Sequence, residues 1–165
     1  MNPRAAQIAA LLDLAPHPEG GRYREVHRSA QLVTRDDGAV RAALPTIYFL
    51  LAADERSQWH RVAADEAWHF QEGAILELDV ATPDATRLHR QLLGPLADGV
   101  QPVHVVPAGY WQAARTRGEY SLVACSVGPG FDFADFVLAR DLTGEPAAIR
   151  ERLEQLERSE RRGRA

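Results

Sequence analysis

With 165 residues and a formal net charge of −4, the chain has the length of one domain with room for a substantial buried core. Its mild acidity argues against a general nucleic-acid binder, and no apolar run approaches the roughly 20 residues that a membrane helix requires. Cys125 is the sole cysteine, so no internal disulfide forms, which suits a reducing cytoplasm.

In chain order, the first segment is MNPRAAQIAALLDLAPHP. Asp13 interrupts it and Arg4 is its only early positive side chain, so it reads as a short amphipathic helix rather than a leader. Asn2 is placed to cap the helix, Pro3 suits its first turn, and Ile8, Leu11, Leu12 and Ala15 would share one face before Pro16 and Pro18 end it. The stretch HPEGG, ending at Gly21, reads as a turn with Glu19 facing solvent. No helix follows the glycine pair, so it is no phosphate loop.

From Tyr23 to Ala139 short runs rich in branched and aromatic residues alternate with turn signals at Asp36-Asp37-Gly38, Gly73, Thr82-Pro83-Asp84, Gly94-Pro95, Gly118 and Gly128-Pro129-Gly130. About ten strands at this spacing with no intervening helices predict an all-β sandwich or barrel. In AILELDV, Leu76, Leu78 and Val80 share one face while Ile75, Glu77 and Asp79 share the other. Cys125 sits in the apolar run SLVACSV, as an inert buried thiol does. Asp132 and Asp135 in FDFADF are expected as edge or turn groups. After Gly144 and Pro146 the pattern turns helical, with Ile149, Leu153 and Leu156 in a stripe, and the arginines of RSERRGRA form a solvated tail.

The chemistry concentrates in SQWHRVAADEAWHFQEG. His60, Val62 and Glu66 have the same parity along an extended chain, allowing for the turn between them, so their side chains are expected to converge on one interior. Trp68 and Phe70 share the parity of Glu66 and would line the same hollow, whereas His69 points the other way. Farther on, VPAGYWQAA places Gln112 three residues beyond Gly109.

On these residues the chain resembles the cupin superfamily. His60 matches the first histidine of that superfamily's first motif, Glu66 its glutamate, Gly73 its closing glycine, and Pro107-Ala108-Gly109 the second block. Val62 stands where the second histidine would be, and Gln112 where the third would be. Together with PHPEGGRYREVHRS, TIYFLL and VGPGFDFADFVLA, the blocks are similar to a small cupin subfamily catalogued as a domain of unknown function, over roughly residues 11–142. The resemblance implies a double-stranded β-helix, the jelly-roll cupin barrel, flanked by a short N-terminal helix and a C-terminal helix. Residues 1–142 would form the single cupin domain and 143–165 the C-terminal helix and basic tail. It further implies a homodimer and a shape like that of the sugar-nucleotide epimerase type of cupin.

A mononuclear metal cupin uses three imidazoles and a carboxylate. Here the donors would be His60, Glu66 and the weakly donating carbonyl of Gln112, too poor a set for tight binding, so no cofactor is expected. The expected activity is that of a metal-independent, isomerase- or epimerase-like enzyme on a small polar, sugar-like ligand. His60 and Glu66 would form the catalytic acid–base pair, the glutamate orienting the imidazole and raising its pKa. Tyr48, Trp68, Phe70 and Gln112 would bind the ligand, with Tyr48 or Tyr110 as the acid. Two alternatives stay open: a metal-dependent cupin with this reduced ligand set, and a non-catalytic binder in the same fold. Neither nucleic acid nor membrane is expected as a partner.

Overall fold

The structure, a computed structural model, describes residues 2–144 and 146–162. Helix α1 (Pro3–Leu11) is followed by strands β1 (Ala15–Pro16), β2 (Arg22–Arg28), β3 (Leu32–Thr34), β4 (Val40–Ala42), β5 (Pro45–Ala52) and β6 (Ser57–Arg61). Next come β7 (Asp65–Gly73), β8 (Leu76–Ala81), β9 (Leu88–Leu93), β10 (Val103–Val106), β11 (Trp111–Thr116), β12 (Tyr120–Gly128) and β13 (Val137–Leu138). Helix α2 (Ala147–Arg162) follows them.

The strands pair antiparallel in two sheets, ordered β1-β2-β5-β12-β7-β10 and β13-β6-β11-β8-β9, while β3 and β4 make a separate hairpin. The two sheets face each other as a jelly-roll barrel and enclose the main core. Period-two alternation builds it: Leu76, Leu78 and Val80 of β8 turn inward against Phe49, Trp68 and Val123. Their neighbours Glu77 and Asp79 turn to the other face, where Arg90 and Arg115 pair with them.

The helices cover the outer faces. Asn2 caps α1, its side-chain oxygen accepting from the amides of Arg4 at 2.8 Å and Ala5 at 3.3 Å. The helix lays Ala5 and Ile8 on Leu50 and Leu122 of the larger sheet. One expectation fails here, since Leu11 is 70% exposed and Ala15 lies in β1. The helix stops at Leu11 and Asp13 takes a left-handed φ of 52°, so Leu12 and Leu14, rather than Leu11, reach the apolar face. On the smaller sheet α2 buries Leu153 against Trp59 and Trp111, flanked by Ile149 and Leu156. Glu157 fastens the helix by accepting from both terminal nitrogens of Arg56 and from the Trp59 indole. The basic tail from Arg161 onward lies outside the residues whose side chains are described. Among the described residues no helix is long and apolar enough to cross a membrane.

Candidate functional site

Strands β2, β5, β6, β7 and β12 wall a cavity of about 270 Å³ inside the barrel. His60, Val62 and Glu66 all face it, so the shared parity of β6 and β7 carries through the intervening turn. Trp68, Phe49, Ile47 and Val127 supply apolar wall, and the segment after β12 contributes Phe131, Phe133 and Phe136.

Glu19 is the residue that local pattern missed. Expected in solvent, it is 5% exposed and points into the cavity. The cause is the glycine pair that follows it. Gly20 has φ +108° and a Cβ there would stand 2.1 Å from the Arg56 carbonyl oxygen; Gly21 has φ +70° and a Cβ would meet Leu51 at 2.7 Å and the Leu50 carbonyl oxygen at 2.8 Å. Only glycine lets this turn lie so tightly against the barrel. The Glu19 carbonyl accepts from the Gln58 amide at 2.8 Å, fixing the loop to β6. Two consecutive glycines after a lone acid were the available signal, a mark of close backbone approach.

A buried hydrogen-bond set surrounds this acid. Ser57 Oγ donates to Glu19 Oε1 at 2.8 Å, and Glu19 Oε2 lies 3.2 Å from His60 Nε2. The other ring nitrogen of His60, Nδ1, donates to the Gln58 carbonyl at 2.8 Å, which leaves Nε2 to face Glu19. His17 joins from the far side, its Nδ1 accepting from the Glu19 amide at 3.3 Å. Tyr23 meets the His17 ring edge-on at 4.5 Å between centroids.

Glu66 belongs to a second set. Gln112 Nε2 donates to Glu66 Oε2 at 2.5 Å, and Gln112 Oε1 accepts from the Trp68 indole at 3.0 Å. An indole nitrogen only donates, so the amide's orientation is determined and its NH₂ end must meet the carboxyl. The Cys125 thiol also hydrogen-bonds Glu66; burial pushes that thiol well above its ordinary pKa, so it stays protonated.

Burial governs the electrostatics of both sets. Desolvation pushes Glu19 up to about 8, against the opposing hydrogen bond from Ser57. It pushes Glu66 up to about 7, with His60 and the Gln112 and Cys125 hydrogen bonds pulling the other way. Desolvation takes His17 down to about 4, helped by the neighbouring His60. His60 is likewise lowered by burial, against the charge of Glu66 and the Gln58 carbonyl. Glu66 does act to raise the His60 pKa, as expected, but desolvation outweighs it and the net shift is downward; the imidazole is oriented by Glu19 and the Gln58 carbonyl.

The ligand-binding residues expected from sequence separate. Trp68 lines the cavity. Phe70 packs against the main core and Tyr110 does the same, neither reaching the cavity wall. Tyr48 lies on the outer face of β5 among the side chains under α1, because its neighbours Ile47 and Phe49 take the inner face. Gln112 is fully buried behind the wall with both ends of its amide occupied. Among the cavity's described residues, Tyr23 is the tyrosine in the wall. At the rim, Asp132 caps a 3-10 turn, while Asp135 accepts from Arg35 and Arg41 of the β3–β4 hairpin, both at 2.8 Å.

The donor set does not fit the metal centre of a cupin. Val62 has no lone pair to offer, Gln112 is committed at both ends, and His60 presents its Nε2 to Glu19. Among the described residues no group of three or more His, Cys, Asp or Glu side chains is arranged to hold a metal ion.

Comparison with known proteins agrees with this architecture. A family model described as "Cupin superfamily (DUF985)" matches residues 6–139. A hypothetical protein from Leishmania major is 36% identical with a TM-score of 0.77, the match covering 81% of this chain and 85% of that one. A protein from Shewanella oneidensis is 32% identical with a TM-score of 0.78, covering 93% and 94% of the two chains. A variant of oxalate decarboxylase from Bacillus subtilis shares the fold at 14% identity and a TM-score of 0.54, over 74% of this chain and 29% of that one. No curated protein matches the sequence.

Proposed function

The chain belongs to the DUF985 family of the cupin superfamily, and on that premise we propose that its barrel is a metal-independent, isomerase-like site for proton transfer on a small ligand. Two proton-carrying units share one cavity: the Glu66 carboxyl, and the Glu19–His60 pair with a proton between its facing oxygen and nitrogen. The observation that carries the reading is their joint burial among apolar side chains. A carboxyl in such a place is costly unless it is paired or has a task, and burial brings Glu66 to about 7, where an acid–base group works best at neutral pH.

The chemistry follows from the two units. Glu66 as carboxylate takes a proton from a ligand carbon beside a carbonyl or iminium group. The electron pair of that C–H bond moves into the adjacent carbon–carbon bond, and the carbonyl oxygen or the nitrogen takes up the electrons released. The Glu19–His60 pair then delivers its proton to that heteroatom or to a neighbouring carbon. As the first proton returns to a different face or position, the pair recovers its own proton from the ligand heteroatom, which completes the isomerisation with atoms and charge balanced and both units restored. Gln112 and Cys125 orient the Glu66 carboxyl, and Ser57 orients Glu19.

The size and apolar wall of the cavity favour a single-ring ligand over a nucleotide-linked sugar, since ligand pockets commonly span about 300–1,000 Å³. The test is solvent-deuterium incorporation. Small cyclic carbonyl and amino compounds are incubated with the protein in heavy water, and carbon-bound deuterium is read by mass spectrometry. Exchange above background that falls at least about a hundredfold in Glu66→Gln supports the reading, a loss in the usual range for one acid–base group. Exchange that Glu66→Gln leaves intact, or binding without exchange across the panel, overturns it in favour of a non-catalytic binder.

A further inference from the structure

The charge of the cavity wall narrows the ligand. Its acidic members are Glu19, Glu25 and Glu66, and its arginine is Arg28. Arg28 is already taken: its Nε and Nη2 donate to the Glu25 carboxylate at 3.0 and 2.6 Å, and its Nη1 to the Phe131 carbonyl at 3.2 Å. His17 and His60 are the remaining basic groups in the wall, and burial works against a charge on either. An anionic ligand would therefore meet committed or neutral partners, and two buried carboxyls besides.

A cation meets the opposite situation. Glu19 and Glu66 are desolvated, and the basic groups facing them, the His60 and His17 imidazoles, are disfavoured as cations by desolvation, so an ammonium group entering the cavity supplies a counter-charge. Around them stand six aromatic side chains, Tyr23, Phe49, Trp68, Phe131, Phe133 and Phe136. Aromatic faces attract organic cations most strongly where water is excluded. We propose that this cavity takes a small organic cation, an amine or quaternary ammonium of about one ring's bulk, its charge facing Glu66 and Glu19 and its apolar part against the aromatic wall. The inference rests on the reading of the cavity as the ligand site and adds the charge class of what enters.

Three probes of equal bulk separate charge from shape: choline, its uncharged carbon isostere neohexyl alcohol, and the anion tert-butylacetate. Each is titrated into the full chain by calorimetry, with Trp68 emission as a second signal. Choline is expected to bind in the millimolar range or tighter and at least about tenfold better than the alcohol, about what one compensated charge contributes. The anion is expected not to bind. Glu66→Gln should reduce choline affinity about tenfold and change that of the alcohol less than about threefold. If Glu66→Gln fails to fold, Phe136→Leu carries the same comparison, because it shortens the aromatic wall without touching a carboxyl. Equal binding of the alcohol, any preference for the anion, or no choline binding in the millimolar range overturns the proposal. The probes report charge selection apart from catalysis. Choline selectivity without deuterium exchange on any compound would leave the ligand class standing and remove the proton-transfer reading, and exchange without choline selectivity would do the reverse.

Discussion

Glu19 Oε2 and His60 Nε2 stand 3.2 Å apart inside the barrel. One is on a glycine-rich loop and the other is on β6, and the Gln58 carbonyl determines which ring nitrogen is presented. Glu66 lines the same cavity, and burial raises the pKa of both carboxyls.

Stability should fall as pH rises above neutrality. Glu19 has a folded pKa of about 8 and Glu66 about 7, both above the ordinary carboxyl value of 4.5, so the folded state retains protons that the unfolded chain releases. Their contribution is complete below pH 4.5 and is lost as pH passes through 7 and 8. His17, lowered from 6.5 to about 4, has the opposite sign, adding stability as pH rises toward 6.5 and nothing further above it. The clean window is thus between 6.5 and 8. Urea unfolding across it should lose on the order of 2 kcal/mol in the natural protein, and most of that slope should vanish in Glu19→Gln. A flat profile in the natural protein would contradict the buried-acid assignment.

Gly20→Ala should be far more damaging than its exposure suggests. The new methyl would stand 2.1 Å from the Arg56 carbonyl oxygen at a φ of +108°. Gly38→Ala at φ +82°, with no atom within 4 Å, isolates the backbone component. We expect about 1 kcal/mol for Gly38→Ala and at least about twice that for Gly20→Ala. Only Gly20→Ala should also abolish choline binding, because the turn that aims Glu19 must shift.

Gln112→Leu removes an amide that satisfies two buried groups at once, the Trp68 indole and the Glu66 carboxyl. A loss of about 2–4 kcal/mol in chemical unfolding is expected, the cost of two unsatisfied polar groups. Glu66 should then titrate higher still, moving the acidic limb of any exchange profile upward. An unchanged profile would separate Gln112 from the site.

Chelation should have no effect. With Val62 and Gln112 in the ligand positions of a metal cupin, incubation with EDTA is expected to leave both the melting temperature and deuterium exchange unchanged. A melting temperature lowered by EDTA and restored by iron, manganese or zinc would return the metal-dependent alternative.

Much of the architecture was legible in the chain because β structure is written at period two. Leu76, Leu78 and Val80 against Glu77 and Asp79 is a local pattern, and local sterics make it hold in the folded barrel. The same parity brought His60, Val62 and Glu66 to one cavity across a short turn. Parity was silent where both faces are apolar. PTIYFLLA offers only Thr46 and no charged residue to mark a side, so the outward turn of Tyr48 was made plain by the docking of α1 on that face.

Sequence by itself determined the strand alternation, the Asn2 cap and the donor-poor ligand set, all properties of neighbours along the chain. Tertiary structure alone decided that Glu19 is buried and pairs with His60, that Gln112 is spent on Trp68 and Glu66, and that three phenylalanines from the segment after β12 wall the cavity. These contacts join segments far apart in sequence. Their free energy depends on how closely backbones approach and on how much water is excluded, quantities that only the packed chain possesses.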